Sequence, residues 1–137
     1  MGKTKFDPEQ SVIILNIALK GHTGIIRRIR MVLDTGATYT MIPWEIAEAL
    51  GYEPEHSKEK VTLVTASGIE TAPIIKVKEV NVLGEYISDV PVVCHDLPAR
   101  SYVVGLLGAS VLRHFKIVID YEEGDLEFMR VNKKRRS

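Results

Sequence analysis

One cysteine, Cys94, is all the thiol chemistry the chain has, so no internal disulfide can form and a reducing compartment fits. Net charge is also absent: 18 basic residues meet 18 acidic ones, which removes any strong global pull toward nucleic acid. No apolar run approaches the ~20 residues of a membrane span. The start, Met1-Gly2-Lys3-Thr4-Lys5-Phe6-Asp7, carries no hydrophobic signal region, and Phe6 stands where a myristoylation signal wants Ser or Thr. The expected localisation is cytoplasmic, with no membrane partner. Gly-x-Ser-x-Gly, a P-loop and Gly-x-Gly-x-x-Gly are all lacking, and no His or Cys set has metal-ligand spacing. The expectation is therefore no cofactor and no metal.

The 137 residues, 45% of them hydrophobic, suit one soluble domain with a single core. Val12 to Leu19 is rich in β-branched residues and reads as a strand, turned by Lys20-Gly21-His22-Thr23-Gly24 into a second strand from Ile25 to Leu33. Pro43 opens a short helix over Trp44 to Leu50, stopped by Gly51, with Ile46, Ala49 and Leu50 on one face. Val61 to Ala66 and Ile69 to Val82 flank Ser67-Gly68 as a hairpin, and a strand over Ile87 to Val93 follows Gly84-Glu85. Asp96 to Arg100 reads as a loop, Val103 to Leu107 as a strand and Ser110 to Phe115 as one or two helical turns. Lys116 to Asp120 and Leu126 to Val131 close the chain as a hairpin. Many short strands with regular turns predict an all-β fold, a closed barrel with one or two short helices.

Asp34-Thr35-Gly36 follows the apolar Met31-Val32-Leu33 and occurs once. In isolation such a triplet is most simply a strand ending in an Asp-initiated turn. It gains meaning from Val103-Val104-Gly105-Leu106-Leu107-Gly108, about seventy positions later, which runs into Ala109-Ser110-Val111-Leu112. An Asp-Thr-Gly loop, then an apolar-apolar-Gly strand, then a short helix: in this order the chain resembles the retropepsin-like aspartic proteases over roughly residues 11 to 131. It departs from retroviral members where an acidic residue and an arginine pair beneath the loop. Thr38 and Ala109 stand there, and Ser110 replaces the Asp or Asn often found in cellular relatives.

The resemblance implies a closed acid-protease-like β-barrel acting as an obligate homodimer. Metal-free peptide hydrolysis needs a base to activate water and an acid for the leaving amide. Two carboxylates about 3 Å apart share a proton and can supply both. Neither Asp120-Tyr121-Glu122 nor Asp125-Leu126-Glu127 offers a second loop, so the second carboxylate must be Asp34 of another copy. Asp34 is then catalytic, and Thr35, Gly36 and Ala37 support its loop. Thr35 is placed to bond the partner loop across the dimer axis, and Gly36 turns the backbone without a Cβ clash while keeping its N–H for the carboxylates. Leu106, Leu107 and Gly108 form a dry floor beneath the loop. Thr65, Ala66, Ser67, Gly68 and Ile69 correspond to the flap that closes over an extended peptide. The function implied is an aspartic endopeptidase with a peptide or protein substrate. The alternative is a silent dimeric peptide-binding or scaffolding module on the same fold.

Around this domain, residues 1–10 read as a flexible segment and 132–137 as a basic tail. Arg130, Lys133, Lys134, Arg135 and Arg136 are five of the 18 basic residues. Without an aromatic residue to stack bases, the tail reads as a solvated terminus and not as a nucleic-acid contact. Cys94-His95-Asp96 gathers three reactive types, but strand neighbours face opposite ways, giving a buried thiol beside a surface imidazole. His22, His56 and His114 read as isolated, and Trp44 as part of the core.

Overall fold

Along Ile14–Lys20, Leu15, Ile17 and Leu19 are buried and Asn16 is exposed, the two-residue period of a sheet with one face on a core. The computed structural model describes residues 2–97 and 105–131. Its strands are β1 (Gly2–Lys5), β2 (Ile14–Lys20), β3 (Ile26–Leu33), β4 (Thr40–Ile42), β5 (Lys60–Thr65), β6 (Gly68–Val82), β7 (Glu85–Cys94), β8 (Gly105–Leu107), β9 (Phe115–Asp120) and β10 (Asp125–Arg130). The helices are α1 (Trp44–Ala49) and α2 (Ala109–Leu112), with a 3₁₀ turn at Pro54–His56.

A ring of strands closes the barrel: β2 pairs β3, then β8, β4, β7 and β6 follow, and β6 returns to β2. Closure leaves the ring no free edge inside it. Leu15, Ile17, Leu19, Met31, Val77, Val80, Val92, Leu107 and Phe128 meet in one buried cluster. The expected closed β-barrel with one or two short helices is what the described residues form, with α1 and α2 as those helices.

β6 is 15 residues long because it serves two structures. Its first part pairs β5 from Gly68↔Thr65 to Pro73↔Lys60, and its last part pairs β2 and β7. The hairpin therefore springs directly from a barrel strand. The β6–β7 turn places Leu83 at φ 51° and Gly84 at φ 87° between paired Val82 and Glu85, the left-handed pair that a two-residue turn of matching twist requires.

Two strands lie outside the sequence pattern. Residues 1–10 read as a flexible segment, yet Gly2–Lys5 forms β1 against β10, within a second sheet ordered β1-β10-β9. Its polarity suits that partner, since Lys3 falls opposite Glu127 and Lys5 opposite Asp125. β4 is three residues long and starts on a threonine, too short for periodicity to reveal. It exists because β7 and β8 pair it from either side. The proposed strand residues Val103 and Val104, loop residues Pro98 to Arg100 and the 132–137 tail lie outside the described residues. On α1 the fully buried residue is Ala47, beside half-buried Ile46 and Ala49.

Candidate active site

Asp34 ends β3, and its place follows from how β8 is threaded. β8 runs parallel to β3 (Val32↔Leu106, Leu33↔Leu107) and antiparallel to β4 at Met41↔Leu106. The chain thus leaves β3 through the Asp34 loop, enters β4, and β8 returns about seventy residues later into the gap between them. Such threading brings backbones close enough to dictate glycine. A Cβ on Gly108 would lie 2.4 Å from Tyr39 O and 2.8 Å from Ala37 O, and one on Gly105 would lie 2.5 Å from Met41 O. The apolar-apolar-Gly pattern is the sequence trace of this crossing.

The loop is held at several points. Asp34 donates its N–H to Leu107 O at 3.0 Å, and Ala109 donates to Ala37 O at 2.8 Å. Gly36 donates its N–H to Asp34 Oδ1 at 3.0 Å, and Ala37 donates to Asp34 O at 3.2 Å. One carboxylate oxygen is thereby fixed by the backbone of its own turn. Asp34 is half-buried, while Thr35 and Gly36 stand exposed at the loop's apex. Leu107 and Gly108 are buried beneath it and Leu106 is half-buried. These residues meet around one carboxylate, which one chain supplies once.

Gly36 differs from expectation. Its φ is not in the left-handed region, and an added Cβ would meet only Asp34 Oδ1, at 3.4 Å. Among the described residues of one chain, no clash demands glycine there. The sequence reading also missed Thr40, which is fully buried. Its Oγ1 accepts the Gly108 N–H at 3.1 Å, while its own N–H donates to Ser110 Oγ at 2.9 Å. Thr40 and Ser110 are the buried polar residues among those described. They tie β4, β8 and α2 together where Thr38 and Ala109 offer no ion pair. The signal was a hydroxyl residue within an otherwise apolar stretch, too common to single out.

Thr65, Ala66, Ser67, Gly68 and Ile69 form the hairpin tip. Thr65 Oγ1 accepts the Ser67 N–H at 3.2 Å and donates to Gly68 O at 3.1 Å, and Gly68 sits at φ +122°. Val64 and Ile69, opposite each other, are 86% and 75% exposed, an apolar pair that water alone does not favour.

The other reactive residues are otherwise engaged. Cys94 is fully buried, and burial pushes its thiol up to about 12. His95 Nε2 meets Glu70 Oε2 at 3.1 Å, and Asp96 Oδ1 accepts the Trp44 N–H at 3.1 Å. His22 packs edge-on against Tyr52 with ring centroids 4.6 Å apart. Burial raises the Tyr52 hydroxyl pKa, against the Lys78 N–H that it accepts at 2.8 Å. His56, expected to be isolated, pairs with Glu53 at 2.6 Å. With Glu55 these two place ligand atoms within 4.8 Å of one another, a metal-capable group that is wholly exposed.

A family model described as "gag-polyprotein putative aspartyl protease" matches residues 26–114. That span runs from β3 through the Asp34 loop, the hairpin and β8 to the end of α2. The chain belongs to this retropepsin-like aspartic protease family. It is similar to a solved retropepsin-like aspartic protease from Rickettsia conorii, at 26% identity and TM-score 0.67, covering 94% of this chain and 99% of that one. A solution structure of simian foamy virus (mac) protease aligns at 20% identity and TM-score 0.49, over 73% of this chain and 91% of that one. No curated protein matches significantly. Among the described residues no helix is long and apolar enough to cross a membrane.

Proposed function

We propose that the protein is an aspartic endopeptidase, active as a homodimer in which Asp34 of each copy meets on a two-fold axis. The observation that carries this reading is the Asp34 loop itself. Its half-buried carboxylate sits at the end of β3, one oxygen is held by the Gly36 N–H, and the loop's apex is exposed. A lone half-buried carboxylate is either base or acid at any one moment and cannot present both forms to the substrate together. Two of them close together share one proton, so one is poised to take a proton from water and the other to give one to the leaving amide. Their titration would belong to the pair.

The other residues acquire roles from that symmetry. Thr35 at the apex bonds the partner's loop. Gly36, with no clash inside its own chain, leaves room for the partner's backbone and the peptide. Leu106, Leu107 and Gly108 exclude water from below, and the Thr65–Ile69 tip closes from above as the flap. Exposed Val64 and Ile69 support that last role, because a second flap packed on their face of the hairpin would cover them. The domain proper spans 11–131 together with β1, and the site needs no metal. A soluble, cytoplasmic location accords with the single buried thiol.

The test is digestion of a mixed peptide library by wild type and Asp34→Ala between acidic and neutral pH, read by mass spectrometry. Sedimentation is followed in parallel. Cleavage by the wild type alone, from a dimer, is expected. A wild-type dimer that binds peptides and releases them whole would make the protein a silent binding module instead.

A further inference from the structure

Beneath the hairpin, β5, β6 and the residues that follow β7 line an open cavity of about 470 Å³, with Met41, Leu63, Thr65, Glu70, His95 and Asp96 among its walls. Leu63 and Glu70 are cross-strand partners, so both project from the hairpin face opposite to that of Val64 and Ile69. Met41 is paired with Leu106, one residue before the carbonyl from which the Asp34 loop hangs. The cavity is therefore one strand away from the catalytic loop and roofed by the segment proposed to cover the peptide.

Its walls are mixed in a specific way. Met41 and Leu63 supply apolar contact. Glu70 and Asp96 supply two carboxylates against one imidazole, so a negative charge is left over whether or not His95 is protonated. The acidic groups are also held in place. His95 is anchored by its N–H on Ile42 O at 2.9 Å and meets Glu70 Oε2 at 3.1 Å; Asp96 Oδ1 takes the Trp44 N–H at 3.1 Å. Among the described residues each carboxylate uses one oxygen in these contacts, which leaves its second for a ligand. A wall for a methylene stem ending in fixed negative charge matches a side chain with an apolar stem and a cationic head.

The geometry points to a specificity pocket that selects a lysine or arginine of the bound peptide through Glu70 and Asp96. This inference rests on the protease reading, since that reading puts a peptide under the hairpin. It adds a charge preference where the Leu106-Leu107 floor alone suggests hydrophobic residues near the scissile bond. The Glu70–His95 pair is then more than a clasp partway along the hairpin: it orients one of the two selecting carboxylates.

The experiment uses fluorescein-labelled decapeptides with an apolar centre, carrying lysine, norleucine or glutamate at one position at a time. Binding to the Asp34→Asn protein is measured by anisotropy, and cleavage by the wild type is measured in parallel. At one position lysine should bind about fivefold more tightly than norleucine, the upper range for a partly exposed ion pair. The same ratio should appear in kcat/KM. Glu70→Gln should cut the advantage to below about twofold, and Glu70→Lys should turn it toward glutamate. If Glu70 variants do not fold by circular dichroism, Asp96→Asn provides the second reading, with the same direction. Equal binding of lysine and norleucine at every position overturns the pocket, as does no peptide binding or a preference unchanged in both Gln and Asn variants. Preference in binding without any cleavage by the wild type leaves the pocket and removes the protease. Cleavage without preference does the reverse.

Discussion

Ser110 Oγ accepts the main-chain N–H of Thr40 at 2.9 Å, joining two residues 70 positions apart in a buried contact. Thr40 Oγ1 in turn accepts the Gly108 N–H at 3.1 Å. The strand after the Asp34 loop is thus bonded to the strand and helix that pass beneath it. No charge is used, so no ionic group is desolvated to hold the loop. In this chain the uncharged lock stands beside the positions where retroviral relatives place an acidic residue and an arginine.

Ser110→Ala should leave the Thr40 N–H buried without its acceptor. A cost of about 1–3 kcal/mol in unfolding free energy is expected. Urea denaturation checks the stability. If the lock also positions the catalytic loop, kcat should fall more than KM changes. Ser110→Thr keeps an acceptor oxygen and should recover part of both losses.

Gly108→Ala and Gly36→Ala should separate folding from function. A Cβ at 108 meets Tyr39 O at 2.4 Å, backbone that cannot step aside. Destabilisation of about 3 kcal/mol or outright failure to fold is expected. At 36 the nearest atom is Asp34 Oδ1 at 3.4 Å, so the single chain should lose less than about 1 kcal/mol. Cleavage and dimerisation should nevertheless drop, because the added methyl enters the space assigned to the partner loop. Thermal melts, sedimentation and peptide assays read the three quantities separately. Unchanged turnover in Gly36→Ala would remove that assignment.

Asp34→Asn should melt like the wild type and cleave at least about 1,000-fold more slowly. Asparagine can still accept the Gly36 N–H with its side-chain oxygen, so the turn has no reason to open. Wild-type activity should also fall faster than linearly on dilution, as dimers dissociate. Strict proportionality between rate and concentration down to nanomolar protein would contradict a dimeric site, unless the dimer is tighter still by sedimentation.

Cys94 gives a pH dependence with a definite sign. Its folded pKa is raised from 9.0 to about 12 by burial. Below pH 9 the thiol is protonated in both states and contributes nothing to the slope. Between about 9 and 12 the unfolded chain loses that proton first and so binds fewer protons than the folded one. Stability should therefore decrease as pH rises through this window, by up to about 1.4 kcal/mol per pH unit. Cys94→Ala or Cys94→Ser should flatten the alkaline decline in denaturant midpoints. In the folded wild type at pH 8, Ellman's reagent should react only as fast as the protein opens.

Much of the fold was legible because its strands carry strong local signals. β-branched runs mark β2, β6 and β7, the turn at residues 20–24 returns the chain as β3, and Pro43 with Gly51 brackets α1. Elements made by their partners escaped. β1 is a polar tetrapeptide whose lysines make sense only opposite Glu127 and Asp125. β4 is a strand only because β7 and β8 lie on either side of it. The same division runs through the site. Asp34-Thr35-Gly36 and Leu106-Leu107-Gly108 are contiguous words, whereas Thr40 with Ser110 and Glu70 with His95 are pairs separated by 70 and 25 positions.

By itself the sequence determined the barrel's longer strands, the single carboxylate loop and the family pattern, since periodicity, turn residues and short motifs act over a few neighbouring residues. Tertiary structure alone decided which backbones cross and which polar groups meet. It showed that Gly108 is demanded by the crossing chain while Gly36 is not, and that Thr40 and Ser110 lock beneath the loop. It also set Glu70 and Asp96 around one cavity. Those outcomes depend on contacts between distant segments, and such contacts exist only once burial of the core has brought β3, β4, β7 and β8 together.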